Sequence, residues 1–290
     1  MTTITLDPAA EAALVGRAAA PPRPRHLSAL AVLAARRLAL SARTPRELIV
    51  PLLTPVLFAV VIAPALADTF GAGPGGIDYM TFVAIATMGL LVPLSCMTAG
   101  LGVVVDRVGG GRPDLLAAPV PRALIVLGNL VVALFLSSLQ LVVLLGASAL
   151  RGAEFELRLT GVGWFAAAVV GFAVFMYGIA ETVANRVPTQ EEYVGTLPAI
   201  AIVPWFFAGS LFPIAAMPVG LTAFAKVLPI THVLALLRYG IADPSGQGLH
   251  DIWGMSNTTA MAALSLAVVL GAALLMTAVS IRVFRRSATV

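Results

Sequence analysis

The stretch "SLFPIAAMPVGLTAFAKVLPITH", residues 210–232, decides the fold because it is apolar enough for a membrane yet unsuited to one regular helix. Pro213, Pro218 and Pro229 each interrupt helical backbone. Broken backbone is tolerated at membrane depth only where protein buries it or where it lines a wet cavity, since each unpaired amide is costly in hydrocarbon. We therefore predict one or two short helices that dip into the membrane and return. The alternative is two helices lying flat on the membrane surface.

The composition indicates an integral membrane protein. The chain has 290 residues, of which 59% are hydrophobic and 11% are charged, and its mean hydropathy is +0.98. A soluble chain carries about a quarter charged residues. The single cysteine, Cys96, excludes an intrachain disulfide and a cysteine-based metal site. We predict no catalytic, cofactor or metal site on this chain, and no binding of nucleic acid.

Apolar windows predict an all-α integral membrane protein with six transmembrane helices. A crossing helix needs about 20 apolar residues. Windows free of charged residues run over about 48–67, 79–105, 123–150, 159–180, 194–212 and 258–281. Residues 1–26 are Pro-rich towards their end and are predicted to form a disordered cytoplasmic tail. The membrane domain is then predicted over 27–290.

The arrangement of basic residues predicts the orientation. Basic residues concentrate on the cytoplasmic side of membrane proteins. With both termini in the cytoplasm, four basic residues lie outside, namely Arg151, Arg158, Lys226 and Arg238. The fourteen inside are Arg17, Arg23, Arg25, Arg36, Arg37, Arg43, Arg46, Arg107, Arg112, Arg122, Arg186, Arg282, Arg285 and Arg286. Residues 210–232 are therefore predicted on the outer side, between the fifth and sixth spans.

The sequence reveals no energy source for transport on this chain. The one lysine, Lys226, follows "LTAFA" and not the glycine-rich turn of a phosphate-binding loop. A relay of acidic residues inside the membrane is also missing. Glu47, Asp106 and Glu181 fall at predicted cytoplasmic ends, where capping or pairing with arginine is an equally good interpretation. If the protein moves a substrate uphill, we expect another chain to supply the work.

Four polar side chains within the third window are candidates for lining a path. They are Asn129, Ser137, Ser138 and Gln140. The alternative, which we favour, is hydrogen bonding between helices, at about 0.6 kcal/mol each.

Three segments, taken together, resemble the permease subunits of type-2 ABC exporters, in particular the daunorubicin-resistance-like permeases. The first is "ARRLALSARTPRELIVPLLTPVLFAV", residues 35–60, with Arg43, Pro45 and Pro55 in matching positions. The resemblance implies an N-terminal interfacial helix, predicted over 27–44, that leads into a first span containing proline.

The second segment is "DRVGGGRPDLLAAPVPRALIVLG", residues 106–128. The resemblance implies a cytoplasmic coupling helix over 107–119 that docks into an ATPase. A plain solvated turn is the alternative. The residues implied in coupling are Asp106, Arg107, Arg112, Asp114, Leu115, Leu116 and Arg122.

The third segment is "VPWFFAGSLFPIAAMPVGLTAFAKVLPITHVLALLRYG", residues 203–240. The resemblance implies short re-entrant helices that cap the translocation path on the outer side. The matching positions in this outer segment include Pro213, Pro218, Pro229, Thr231 and Arg238.

The resemblance implies the membrane permease subunit of an ATP-driven exporter, a transport subunit and not an enzyme, in the plasma membrane. Its substrate is expected to be amphipathic, drug-like or lipid-like, moved out of the cytoplasm or the inner leaflet. The implied partners are ABC ATPase subunits that hold ATP and Mg, a second permease copy or a related permease, and membrane lipid. No cofactor is expected on this chain itself.

The sequence leaves several other functions open. The closest alternative is the permease of a polysaccharide or glycolipid exporter. Less favoured alternatives are a secondary carrier and a lipid-modifying enzyme that works without ATP. The enzyme would have to use groups predicted outside, which are His232, Arg238, Asp243, His250 and Asp251.

Overall fold

The computed structural model describes residues 26–42, 53–65, 76–111, 117 and 120–287. Within these ranges the regular structure is helical and contains no strands. The predicted tail lies outside the described residues except for the backbone of His26. The central part of the predicted coupling helix, residues 112–116, also lies outside them.

Eleven helices are described within these ranges. They are α1 (His26–Ala42), α2 (Leu53–Ala65), α3 (Tyr79–Val108), α4 (Arg122–Leu150), α5 (Leu159–Ala184), α6 (Gln190–Leu197), α7 (Val203–Phe207), α8 (Val219–Val227), α9 (Pro229–Ile241), α10 (Gln247–Trp253) and α11 (Thr258–Ser287). A π-helical turn, Phe58–Ile62, lies within α2, and another, Pro198–Ile202, joins α6 to α7. A 3₁₀ turn, Ile214–Ala216, precedes α8.

Four described helices are long and apolar enough to cross a membrane, namely α3, α4, α5 and α11. At 1.5 Å per residue each is about 40–45 Å long, which exceeds the hydrocarbon thickness of about 30 Å. The pair α8 and α9 would make a fifth candidate if it counts as one broken span, and it bends by 82°. The chain is thus an all-α membrane protein with four or five candidate spans, and the count of six stays a prediction.

The first and fifth predicted windows correspond to less regular helices. α2 has 13 residues within the described ranges, while the window 48–67 extends beyond them. The helical run from α6 to α7 ends at Phe207 rather than at residue 212. It ends there because Gly209 adopts a left-handed φ of 76°, which a helix does not allow.

α5 lies at the centre of the packing, against α3, α9 and α11. Among the four candidate spans α3 is the most enclosed and α11 the least. Close approach depends on small residues, as is usual between membrane helices. A Cβ at Gly161 of α5 would overlap with the carbonyl oxygen of Gly240 in α9, and one at Gly178 would lie 2.9 Å from the backbone of Met276.

The two ends of α3 define two ends of the molecule. Near the start of α3, the Tyr79 hydroxyl donates to the carbonyl oxygen of Leu211 at 3.2 Å, and Phe82 contacts Arg238. We call this the α9 end. Near the other end of α3, Asp106 and Arg107 contact α1 and the α5–α6 loop. We call this the arginine-rich end.

The Gly161–Gly240 crossing predicts a position-specific effect of a single methyl group. Gly161→Ala should destabilise the chain by about 1–3 kcal/mol, because the added carbon has to displace α9 backbone. Gly163→Ala on the same helix is the matched control, since no described atom beyond the neighbouring residues and backbone of α5 lies within 4 Å of its added carbon. The measurement is the thermal unfolding midpoint of both variants in one detergent. Equal midpoints for the two variants would show that α5 and α9 do not cross as described.

Candidate functional site

An ion pair joins α1 to the last turn of α3 at the arginine-rich end. Arg37 Nη1 lies 2.7 Å from Asp106 Oδ2, and the two side chains are 12% and 20% exposed. The guanidinium lies across Gly102, where a Cβ would overlap with it. The closeness of the Arg37 guanidinium to α3 explains why a glycine is required one turn before Asp106. The pair fastens α1 to the chain just before the predicted coupling segment.

Arg107 links the same end of α3 to the α5–α6 loop. Its Nη2 donates to the carbonyl oxygen of Val187 and, at 3.4 Å, to that of Pro188. Arg122, at the start of α4, donates to the carbonyl oxygen of Arg285 near the end of α11 at 3.4 Å. Both arginines therefore bridge chain segments that are far apart in sequence. The two bridges flank residues 112–116 in the chain.

A buried carboxylate connects α5 with the end of α11. Glu181 is fully buried and accepts hydrogen bonds from the Tyr177 hydroxyl at 2.5 Å and from Asn185 Nδ2 at 2.9 Å. The Ser287 hydroxyl in turn donates to Asn185 Oδ1 at 3.2 Å. A buried carboxylate needs such donors because its desolvation is costly. This network joins the end of α5 to the end of α11 at the arginine-rich end.

Tyr193 holds α6 against α3. Its side chain is fully buried, and its hydroxyl donates to the carbonyl oxygen of Met97 at 2.8 Å. A Cβ at Gly100 would overlap with that hydroxyl. α6 begins at Gln190, just after the loop that Arg107 binds. The α5–α6 loop and α6 are therefore held to α3 by two separate contacts.

At the α9 end, Arg238 organises the irregular segment that follows α7. Its Nη2 donates to the carbonyl oxygens of Gly209 at 2.9 Å and Ser210 at 3.3 Å. Its guanidinium carbon lies 3.8 Å from the centroid of the Phe82 ring, a cation–π geometry. One side chain thus joins α9, the α7–α8 connection and α3.

The prolines of the outer segment stand at helix starts. Pro213 immediately precedes the 3₁₀ turn, Pro218 caps α8, and Pro229 is the first residue of α9. A proline suits a first helical turn, because the amide hydrogen it lacks has no partner there. Thr231, in the first turn of α9, is buried, and within the part of the chain that the structure describes its hydroxyl has no hydrogen-bond partner.

A sequence profile for the ABC-2 type transporter matches residues 28–242, most of the chain from α1 to the end of α9. The chain belongs to the ABC-2 type transporter family. No curated protein matches it. As an ABC-2 transporter it is a multi-pass membrane protein and a permease subunit. The matched range contains both the arginine-rich contacts of α3 and Arg238.

The four polar residues proposed to line a path in this ABC-2 permease lie on different faces of α4. Ser137 and Gln140 are buried, and the Ser95 hydroxyl donates to Gln140 Oε1 at 2.5 Å. Asn129 is half-buried, whereas Ser138 is exposed. Gln140 therefore makes a hydrogen bond between helices, the interpretation favoured over path lining. A path-lining role for the four stays a prediction.

The sequence did not identify the partners of the predicted coupling residues in this permease. Arg37 follows another arginine, Arg36, and the sequence does not say which of the two faces α3. Tyr193 carries no charge or motif. The sequence feature that could have pointed to the Arg37 contact is Gly102, since a glycine inside a span often marks the close approach of another segment. Of the predicted coupling residues, Arg112, Asp114, Leu115 and Leu116 lie outside the described residues.

The Arg37–Asp106 pair predicts a measurable coupling energy. A double-mutant cycle of Arg37→Gln and Asp106→Asn should give about 1 kcal/mol, because the two side chains are mostly shielded from solvent. The measurement is the unfolding free energy in mixed detergent. Arg36→Gln combined with Asp106→Asn is the control, and this pair should be additive because Arg36 is exposed. Additivity of the Arg37 cycle would rule out the ion pair.

Proposed function

We propose that this chain is the permease subunit of an ATP-driven exporter. It moves an amphipathic, drug-like or lipid-like substrate from the cytoplasm or the inner leaflet to the outer side. One observation carries the proposal beyond family membership. Two arginine-mediated contacts, Arg37 with Asp106 and Arg107 with Val187, converge on the last turn of α3, where the segment 107–119 begins.

This convergence supports a mechanical role for the segment 107–119. A force applied there acts directly on α3, because the segment continues from it. Asp106 passes the movement to α1, and Arg107 passes it to the α5–α6 loop. A partner ATPase that holds ATP and Mg supplies the work. Its nucleotide states must bind the permease conformations with different affinities, since otherwise no conformation is favoured.

The distribution of arginines supports placing the arginine-rich end in the cytoplasm of a plasma-membrane protein, with both termini inside. α2 and the α6–α7 run then supply the first and fifth of six spans. Glu191 and Glu192 lie exposed in the first turn of α6. They are available to basic residues of the ATPase.

The contacts of α9 support a re-entrant segment rather than a broken span. His232, near the start of α9, contacts Ser265, which lies about 10 Å along α11 from its first residue. Gly240, near the end of α9, contacts Gly161 in the first turn of α5. The Ile241 carbonyl oxygen accepts from the amide of Glu156 in the α4–α5 loop at 2.7 Å. α9 therefore begins part-way along α11 and ends at the α9 end of the molecule. The chain thus enters the membrane and returns to the same side.

The packing of the core supports a path between two permeases. Large side chains of α3 and α5, among them Ile85, Met88, Leu91 and Phe172, are fully buried in one core cluster. A substrate passing through the middle of one subunit would have to displace them. A second copy of this chain, or a related permease, would complete the path and leave this core intact.

A polysaccharide or glycolipid as substrate is the alternative within the same function. The lipid-modifying enzyme has less support, because its candidate groups already make structural contacts. His232 contacts the Lys226 carbonyl oxygen and Ser265. The Asp243 carboxylate accepts from the amides of Gly246 and Gln247 at the start of α10.

Substitution within the coupling segment tests the proposal. Leu115→Lys or Asp114→Lys should abolish both the co-purification of an ATPase with this chain and substrate-stimulated ATP hydrolysis, since each adds a positive charge to the docking surface. Glu154→Lys is the control, because it adds a lysine to an exposed position at the α9 end. Export and ATPase association that survive Leu115→Lys unchanged would exclude 107–119 as the coupling element.

A further inference from the structure

A cavity of about 570 Å³ lies at the α9 end, between the start of α3, the turn Ile214–Ala216, α9 and α10. Sites for small molecules typically occupy about 300–1,000 Å³. The cavity reaches the surface beside Ala215 and Ala216, both of which are exposed. A ligand can therefore enter without displacing a helix.

Two buried side chains in the cavity wall carry polar atoms that have no hydrogen-bond partner among the described residues. Arg238 is 7% exposed and its Nε is unpartnered, and Thr231 is 3% exposed and its Oγ1 is unpartnered. Among the described residues, no carboxylate forms an ion pair with Arg238. An unsatisfied buried polar group loses its hydration without replacement, so such groups are rare without a ligand or water. A guanidinium and a hydroxyl together suit an anionic oxygen group.

A carboxylate in the same wall suits a cation. Asp251 of α10 lines the cavity half-buried, with Gln247 Nε2 donating to its Oδ1 at 3.4 Å. Burial raises the pKa of Asp251. Asp243 also lines the cavity, but both of its oxygens accept hydrogen bonds within its own turn. The wall therefore holds one guanidinium and two carboxylates, and of the carboxylates Asp251 is the one that is not bonded to the backbone of its own turn.

Apolar side chains line part of the cavity, and others are exposed on α8 beside its rim. Ile77, Phe82 and Ile214 line its inner wall. The Thr222 hydroxyl of α8 donates to the Ile214 carbonyl oxygen at 3.0 Å, so α8 packs against the rim. Apolar side chains exposed on α8 are Val219, Leu221, Phe224 and Val227. A ligand with a charged head in the cavity has room for acyl chains along α8.

We propose that this cavity binds the phosphoethanolamine headgroup of a membrane lipid. The phosphate faces Arg238 and Thr231, the ammonium faces Asp251, and the acyl chains lie against α8. Binding needs neither an ATPase nor transport, so it goes beyond the proposed function and is tested separately from it.

Native mass spectrometry of the delipidated chain tests the site with two short-chain lipids. Dioctanoyl phosphatidylethanolamine should bind about tenfold more tightly than dioctanoyl phosphatidylglycerol, which has no ammonium for Asp251. Asp251→Asn should remove this preference. Thr231→Val should weaken the binding of both lipids, because both contain the phosphate. Arg238 is left unchanged, since its bonds to Gly209 and Ser210 hold the fold.

Glu154→Gln is the matched control, because it removes an exposed carboxylate at the same end but outside the cavity. It should keep the full preference for phosphatidylethanolamine. Equal binding of the two lipids to the wild-type chain overturns the proposal, and so does a preference that survives Asp251→Asn. Free phosphoethanolamine is the third probe. If it binds as tightly as the lipid, the ligand is a soluble zwitterion and the lipid assignment is wrong.

Discussion

The ion pair between Arg37 and Asp106 is the contact on which the organisation of the arginine-rich end depends. It joins α1, the first described helix, to α3, the most enclosed of the candidate spans. A charge pair shielded from solvent resists separation, because breaking it leaves each charge poorly solvated. Gly102 permits the approach, and Arg107 extends the same attachment to the α5–α6 loop. The end of α3 is therefore attached both to α1 and to the α5–α6 loop.

α3 also connects this end with the α9 end, about 45 Å away along a helix of 30 residues. At the α9 end a second arginine, Arg238, binds carbonyl oxygens of the broken segment and the ring of Phe82. Both ends thus use arginine side chains to attach irregular backbone or a separate helix to α3. α3 is one continuous helix, so it connects the residues bound at the arginine-rich end with those bound at the α9 end.

Much of the fold follows from the sequence, because hydrophobic length is a strong signal for α3, α4, α5 and α11. Helix starts at Pro218 and Pro229 follow from local backbone chemistry in the same way. The contacts of Asp106 with Arg37 and of Asn185 with Ser287 do not follow from it, since they depend on how α1 and α11 rotate about their axes when they pack. Ser138 illustrates the same limit, because one residue separates its exposed position from the buried Ser137.

The distance between α1 and the α5–α6 loop in different nucleotide states tests most directly whether the arginine-rich end moves as one unit. Spin labels at Arg36→Cys and Arg186→Cys, both exposed, report this distance in a chain whose native Cys96 is buried. If the arginine-rich end moves as one unit, the distance stays the same with and without trapped nucleotide, while the Arg36→Cys distance between two permeases changes. A nucleotide-dependent change in the distance within one chain would contradict the account.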